Sequence, residues 1–493
     1  MIDSLNKYKI NITIFIFVSM LFLAIYYIAG YIPVSGGAGW DGSVYLNYVQ
    51  TLGAGGEISG DPYREIRMPG FLPIIIAAKL GALSGQIITI QAVLNALLLS
   101  FSACLLYSTL LNLGVRKHAA LLSLGTLILT WPFLVMPIFY PILSDHAALS
   151  MSCICLWCWS RSLRWVLYVM CAVSLWIIPS LFIVPLILSS FPLRSNFQPN
   201  GPSQKIVVVI VAAIISACAI TLLPEFLRSF PKDEILAHSA VLGGPTALIE
   251  LRLLSSFSIA VGALLIIWIY TNITINSATW ASINYKNATI SIAAVIASMY
   301  YMYTSTNWTS GFIGPPLTHY MVLQSLALPF KPLVSHFASL TPTIILSLII
   351  IVKHSLGKST NTPTGLVLLF SAFLPFLLFG SESRQWIGVL PILVTIFAMS
   401  NYSFWQRIWC LLMSAALIAP VFWLHDKSIA ALQAGVGLQA AEWQYYFGRQ
   451  GPWMSVRSYE IGILALTLYF IVHVMLSKPQ AISDNKNIEN TYN

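Results

Sequence analysis

The chain has 493 residues, of which 58% are hydrophobic and 8% charged, and its mean hydropathy is +0.81. Soluble domains carry about 25% charged residues, so a string of soluble domains is excluded. The formal charge of +9 is scattered in twos at the ends of apolar runs and builds no basic arm or stripe, which argues against nucleic acid as a partner.

A helix needs about 20 apolar residues to cross a bilayer. On that measure the chain predicts an all-α polytopic membrane protein of about 14 transmembrane helices (12–14). They lie near 10–32, 86–111, 119–140, 145–160, 165–178, 179–192, 206–223, 253–270, 288–303, 337–352, 364–380, 387–400, 408–424 and 459–476. The first run, Ile10 to Ile32, is too long for a signal-peptide core and lacks a small-residue cleavage site, so it should stay as a span. The stretch 165–192 contains Pro179 and Pro185 and is either two short broken helices or one kinked span. All seven cysteines fall within these spans. Cys153, Cys155 and Cys158 share one helix, but no second pair of ligands accompanies them, so packing is favoured over zinc.

Charge tests this topology independently. The loops assigned to the cytoplasm carry Lys7, Lys9, Arg116, Lys117, Arg161, Arg164, Arg194, Lys205, Lys286, Lys353, Lys358, Arg407, Lys478 and Lys486 against three acids, Asp3, Asp484 and Glu489. The outer loops hold the other eleven bases and thirteen acids. That is the asymmetry the positive-inside rule requires, and an even number of spans places both termini in the cytoplasm. The span interiors are almost free of Asp, Glu, Lys and Arg, whereas ion-coupled transporters usually need ionisable groups near the midplane. The polar chemistry gathers on the outer face.

Four outer segments could carry that chemistry. In the first loop, 33–85, a glycine-rich lead runs into Gly39-Trp40-Asp41-Gly42-Ser43-Val44-Tyr45. From Asp41 to Leu52 the pattern suits an amphipathic helix lying at the interface. Next comes Asp61-Pro62-Tyr63-Arg64-Glu65-Ile66-Arg67, and Pro69-Gly70-Phe71-Leu72-Pro73-Ile74 then leads into a second interfacial helix or a re-entrant segment. Arg64 and Arg67 could equally contact lipid headgroups, with Asp61 and Glu65 as counter-charges. In the second segment, Ser144-Asp145-His146, either of the first two residues could simply cap the following helix. In the third, Glu382-Ser383-Arg384, the planar fork of Arg384 suits a phosphate or sugar, or pairs with Glu382. The fourth holds Trp443 and Arg449 among further aromatics, which suit stacking on a sugar ring but also gather at interfaces with no ligand.

Together these pieces resemble the GT-C superfamily of integral-membrane glycosyltransferases, which use lipid-phosphate-linked sugars. The resemblance rests on an N-in first span and a large first outer loop with the early Asp41. It rests also on the Arg64/Arg67-Met-Pro-Gly-Phe-Leu-Pro run that returns to the membrane, the Ser144-Asp145-His146 turn and the Glu382-Ser383-Arg384 turn. It covers about the first 190 residues in order and spacing, and implies an N-terminal catalytic module, 1–192. A C-terminal module, 193–476, would carry outer loops 224–252, 304–336 and 425–458, followed by a cytoplasmic tail, 477–493. Many relatives carry a soluble C-terminal domain, whereas this sequence is expected to close with a span and a short tail, and the doublet of adjacent acids found in some branches is absent around Asp41.

The resemblance implies direct displacement at the anomeric carbon of a polyprenyl-phosphate-linked sugar by an acceptor hydroxyl. Asp41 would act as base, and Arg64, Arg67 and Arg384 would hold the donor phosphate. Asp61 and Asp145 would orient the acceptor or hold a divalent ion, Mg or Mn; no other cofactor is implied. Glu65, Glu382, Trp40, Tyr45, Trp443 and Arg449 would support the site. The expected partners are the lipid-linked donor, a surface polysaccharide or lipid-linked glycan acceptor, and the bilayer. The setting would be a bacterial inner membrane with the site facing the periplasm. Similarity to the O-antigen-modifying glucosyltransferases of enteric bacteria implies a hexose such as glucose. An O-antigen polymerase or ligase, and a lipid-linked-sugar flippase, are the competing functions.

Overall fold

The longest apolar runs give the longest helices. In the computed structural model, residues 2–58, 60–193, 231–241, 247–275, 279–280, 282–306, 317–358, 362–435, 451 and 454–477 are described. Every regular element among them is helical. Among the described residues, five helices are long and apolar enough to cross a membrane: Lys9–Ala29, Ser84–Asn112, Ile249–Ile273, Phe404–Trp423 and Val456–Met475. Shorter apolar helices coincide with several of the other expected spans, among them Thr364–Phe379 and Ser383–Met399. The expected span 206–223, the residues Trp443 and Arg449, and nearly all of the tail lie outside the described residues.

The helices that position the outer face are α1 (Ile2–Ala29), α2 (Trp40–Gly53), α3 (Leu72–Lys79), α4 (Ser84–Asn112), α5 (Lys117–Ile128) and α6 (Asp145–Ser160). α4 packs between α1 and α6, and α2 lies against α3. The expected helices at 41–52 and after Pro69 are therefore present as α2 and α3. The long apolar run ends at α1 because Gly30 turns the chain with φ +59°, a conformation cheap only for glycine.

Two expected spans are broken. The run 119–140 does not continue past Ile128: it breaks into the short helices Trp131–Leu134 and Met136–Phe139, each with a proline in its first turn. Pro132 and Pro137 lack the amide hydrogen that a continuous helix would need. The carbonyls this leaves are taken up by α4, where Asn95 Nδ2 donates to Pro137 O at 3.2 Å and Pro141 O at 2.9 Å. Gln91 orients that amide by donating to Asn95 Oδ1 at 2.8 Å. The run 337–352 likewise divides into Lys331–Leu340 and Thr343–Ser355, bent by 117°. Thr341 takes φ +67° at the corner and Pro342 follows. The stretch 165–192 resolves as two short helices, Arg164–Val173 and Ile183–Ser190, packed on each other with single 3₁₀ turns between them.

Arg407, counted above among the cytoplasmic loop bases, is buried. Its guanidinium donates to the carbonyls of Phe397 (3.1 Å), Ala398 (3.0 Å) and Ser400 (2.5 Å). These are orphan acceptors at the C-terminal end of Leu390–Met399, where a cation is favoured.

Candidate functional site

Asp41 is placed by two glycines. Gly39 has φ +77° and ψ −174°, a region essentially open only to glycine. A Cβ there would fall 2.2 Å from the Tyr140 ring. One turn on, a Cβ on Gly42 would meet Ile142 O at 3.2 Å, so α2 lies directly on the broken segment that precedes α6. Trp40 packs over Tyr140 with centroids 6.0 Å apart. Asp41 then occupies the first turn of α2, where a carboxylate is favoured by the helix dipole. We expect Gly39→Ala to lower the thermal midpoint of the purified protein, because backbone strain of about 1–3 kcal/mol adds to the overlap with Tyr140. A midpoint equal to that of wild type would contradict this close approach.

Around Asp41 the charges interleave. Arg64 Nη2 donates to Asp41 Oδ1 at 3.1 Å, and Arg384 Nη2 donates to Asp41 Oδ2 at 2.8 Å. Arg64 Nη1 also reaches Asp61 Oδ2 at 2.5 Å. Asp61 is at the same time the N-cap of Pro62–Glu65, accepting from the Tyr63 amide at 3.0 Å. Arg384 further contacts Glu382 Oε1 at 3.2 Å and lies 4.0 Å, through Nε, from Asp145 Oδ1. Glu382 is buried and accepts two more hydrogen bonds at Oε2, from Tyr320 Oη (3.1 Å) and Gln385 Nε2 (2.8 Å). Gly451 N donates to Ser381 O at 2.9 Å, with φ +59°; a Cβ there would come within 3.2 Å of Glu382.

Arg67 differs from the other two arginines. It is buried, stacks over the Tyr63 ring at 3.9 Å, and among the described residues its side chain donates only to Ser144 Oγ (3.4 Å) and Tyr45 Oη (3.5 Å). Ser144 precedes α6 without a side-chain capping bond, so its hydroxyl faces Arg67 rather than capping the helix.

The structure thus brings together Asp41, Asp61, Arg64, Arg67, Asp145, Glu382 and Arg384, with Trp40 and Tyr45 packed beside them. Two local expectations change. Arg67 is buried in protein and does not reach outward to headgroups. Glu65 makes no ion pair with either arginine among the described residues. The Asp41 side chain is 34% exposed and bound by two guanidiniums. Tyr320 and Gln385 are contributors that sequence reasoning missed; Tyr320 carried no local signal, lying in a stretch read only as outer loop.

Burial alone would raise the Asp41 carboxyl, but the positive charges of Arg384 and Arg64 outweigh it and hold the group down at about 2. Burial pushes the Glu382 carboxyl above its ordinary range, and Arg384 offsets part of that rise. For Asp41 the folded value lies below the ordinary 3.8. Its stabilising contribution is therefore complete above pH 3.8 and lost as pH falls toward about 2. The stability difference between wild type and Asp41→Asn should be constant at neutral pH and shrink below pH 4, as an acid titration of the thermal midpoint would show; a gap that widens on acidification would contradict these ion pairs. The acids are bridged by guanidiniums, and among the described residues no three His, Cys, Asp or Glu side chains converge where a metal ion could be held.

No protein-family model, no curated protein and no solved structure matches the chain. The site's own chemistry is what bears on function.

Proposed function

We propose that the chain is a membrane glycosyltransferase of the GT-C kind. It would move a hexose from a polyprenyl-phosphate donor to a cell-surface glycan at the periplasmic face of a bacterial inner membrane, with both termini in the cytoplasm. The observation that carries this reading is the Asp41 carboxylate gripped by Arg64 and Arg384, with the buried guanidinium of Arg67 beside them in no ion pair among the described residues. Anionic leaving groups are stabilised by preorganised cations in a water-poor site, and a hydroxyl nucleophile needs an oriented acceptor for its proton.

In this reading the acceptor hydroxyl lies against Asp41 and its oxygen attacks the anomeric carbon. The bond from that carbon to the phosphate oxygen breaks, and its electron pair leaves with polyprenyl phosphate. The hydroxyl proton passes to Asp41 and on to water. A carboxyl held near 2 is ionised at neutral pH and a weak base, so its main work is to orient the hydroxyl and to balance positive charge developing on the sugar. The donor phosphate meets Arg67 first and then shares Arg64 and Arg384 with Asp41. A phosphate leaving group needs no protonation, so no separate general acid is required.

The test is purified protein in nanodiscs with a panel of polyprenyl-phosphate hexoses, following polyprenyl phosphate with and without acceptor polysaccharide. Release that depends on the acceptor is the expected result. Folded protein that releases nothing across the panel would sink this reading and favour a polymerase, a ligase or a flippase.

A further inference from the structure

Pairing divides the charged groups of the cluster into two sets. Asp41, Asp61, Glu382, Arg64 and Arg384 are engaged with one another by ion pairs between 2.5 and 3.2 Å. Arg67 makes no ion pair among the described residues, and Asp145 makes only the longer one to Arg384, at 4.0 Å. Arg67 is 7% exposed, its two side-chain hydrogen bonds are long at 3.4 and 3.5 Å, and its Nε has no partner. Asp145 is 5% exposed; among the described residues no hydrogen bond reaches its carboxylate, and the one cation within ion-pair distance is Arg384, through Nε at 4.0 Å. A charge removed from water is costly unless partners replace that water.

The two groups are neighbours. Arg67 touches Ser144, and Ser144 is followed directly by Asp145 at the start of α6. Opposite charges buried side by side would ordinarily close on each other, yet among the described residues these form no ion pair. Each is anchored on its own element, Arg67 by stacking on Tyr63 and Asp145 in the first turn of α6. What completes them must offer both an anionic oxygen to the guanidinium, which only donates, and hydroxyl hydrogens to the carboxylate, which only accepts. A neutral sugar joined to a phosphate carries both.

We propose that Arg67 and Asp145 form the donor subsite, Arg67 on a phosphate oxygen and Asp145 on hydroxyls of the hexose to be transferred. Asp145 is then the specificity residue by which the protein distinguishes a sugar-bearing lipid phosphate from the bare one. This rests on the transferase reading above and goes beyond it, since that reading needs only a phosphate site.

The experiment measures equilibrium binding of two probes, a short-chain prenyl phosphate and the same lipid carrying a hexose on its phosphate, to full-length protein in nanodiscs. Asp145→Asn is nearly isosteric. It should bind the bare lipid at least as well as wild type, because a negative charge has gone. It should bind the hexose-bearing lipid about ten- to hundredfold more weakly, as loss of hydrogen bonds to a charged group implies. Arg67→Gln should weaken both. Undiminished binding of the hexose-bearing lipid by Asp145→Asn, or an equal loss of both probes, would overturn the assignment while leaving a phosphate-binding transferase standing. Wild type that binds neither probe would overturn the transferase reading and the subsite with it.

Discussion

Asp41→Asn is expected to reduce sugar transfer by at least about 10²–10⁴-fold, the range associated with losing a positioned acid–base group. The amide keeps the shape of the side chain but offers a hydroxyl one acceptor in place of two, and no negative charge. Donor binding should survive or tighten, because Arg64 and Arg384, now held at 3.1 and 2.8 Å by the carboxylate, are released to the phosphate. Rate and affinity therefore separate: turnover falls while the dissociation constant for the lipid phosphate does not rise. A variant with full activity would remove Asp41 from the reaction, and one that no longer binds donor would show its role to be structural.

Arg384→Ala should be the most damaging substitution to the fold of the site. Arg384 contacts Asp41, Glu382 and Asp145 at 2.8, 3.2 and 4.0 Å, and its loss leaves Glu382, 3% exposed, without its cation. Breaking a buried pair from one side costs about 3–5 kcal/mol, enough to lower the thermal midpoint substantially and to weaken donor binding. The pH dependence has a definite sign. The Glu382 carboxyl is already raised by burial, and Arg384 is the charge that restrains it. Without Arg384 the group rises further, so the variant is least stable at high pH and recovers as pH falls toward the ordinary 4.5. Arg384→Lys keeps the charge but not the fork and should fall between the two. A loss of stability that is independent of pH would contradict the role given to Glu382.

How far these features can be seen in the sequence depends on whether their cause is local. α1, α4 and Val456–Met475 follow from apolar length, and α2 from its spacing of apolar positions. The break after Ile128 was missed because hydropathy stays high through 129–140, although Pro132 and Pro137 mark it. At the site, the residue types and their shared outer face could be read: Asp41, Arg64, Asp145, Glu382 and Arg384 do meet. Which charge answers which could not. Asp41 and Arg384 are 343 positions apart, and only tertiary packing makes them partners. Glu65 shows the same limit from the other side, since it stands beside Arg64 in sequence but pairs with no arginine among the described residues. Nothing local separates Arg67 from Arg64, yet one is buried on a tyrosine ring and the other bridges two acids.

The fate of the anomeric carbon tests the central claim most directly. Purified protein would be given a polyprenyl-phosphate hexose of defined configuration together with acceptor glycan, and the new linkage analysed by NMR. Direct displacement predicts glycan product and polyprenyl phosphate in equal amounts, with the anomeric configuration inverted, from wild type but not from Asp41→Asn. Product of retained configuration, or product formed equally well by the variant, would contradict it.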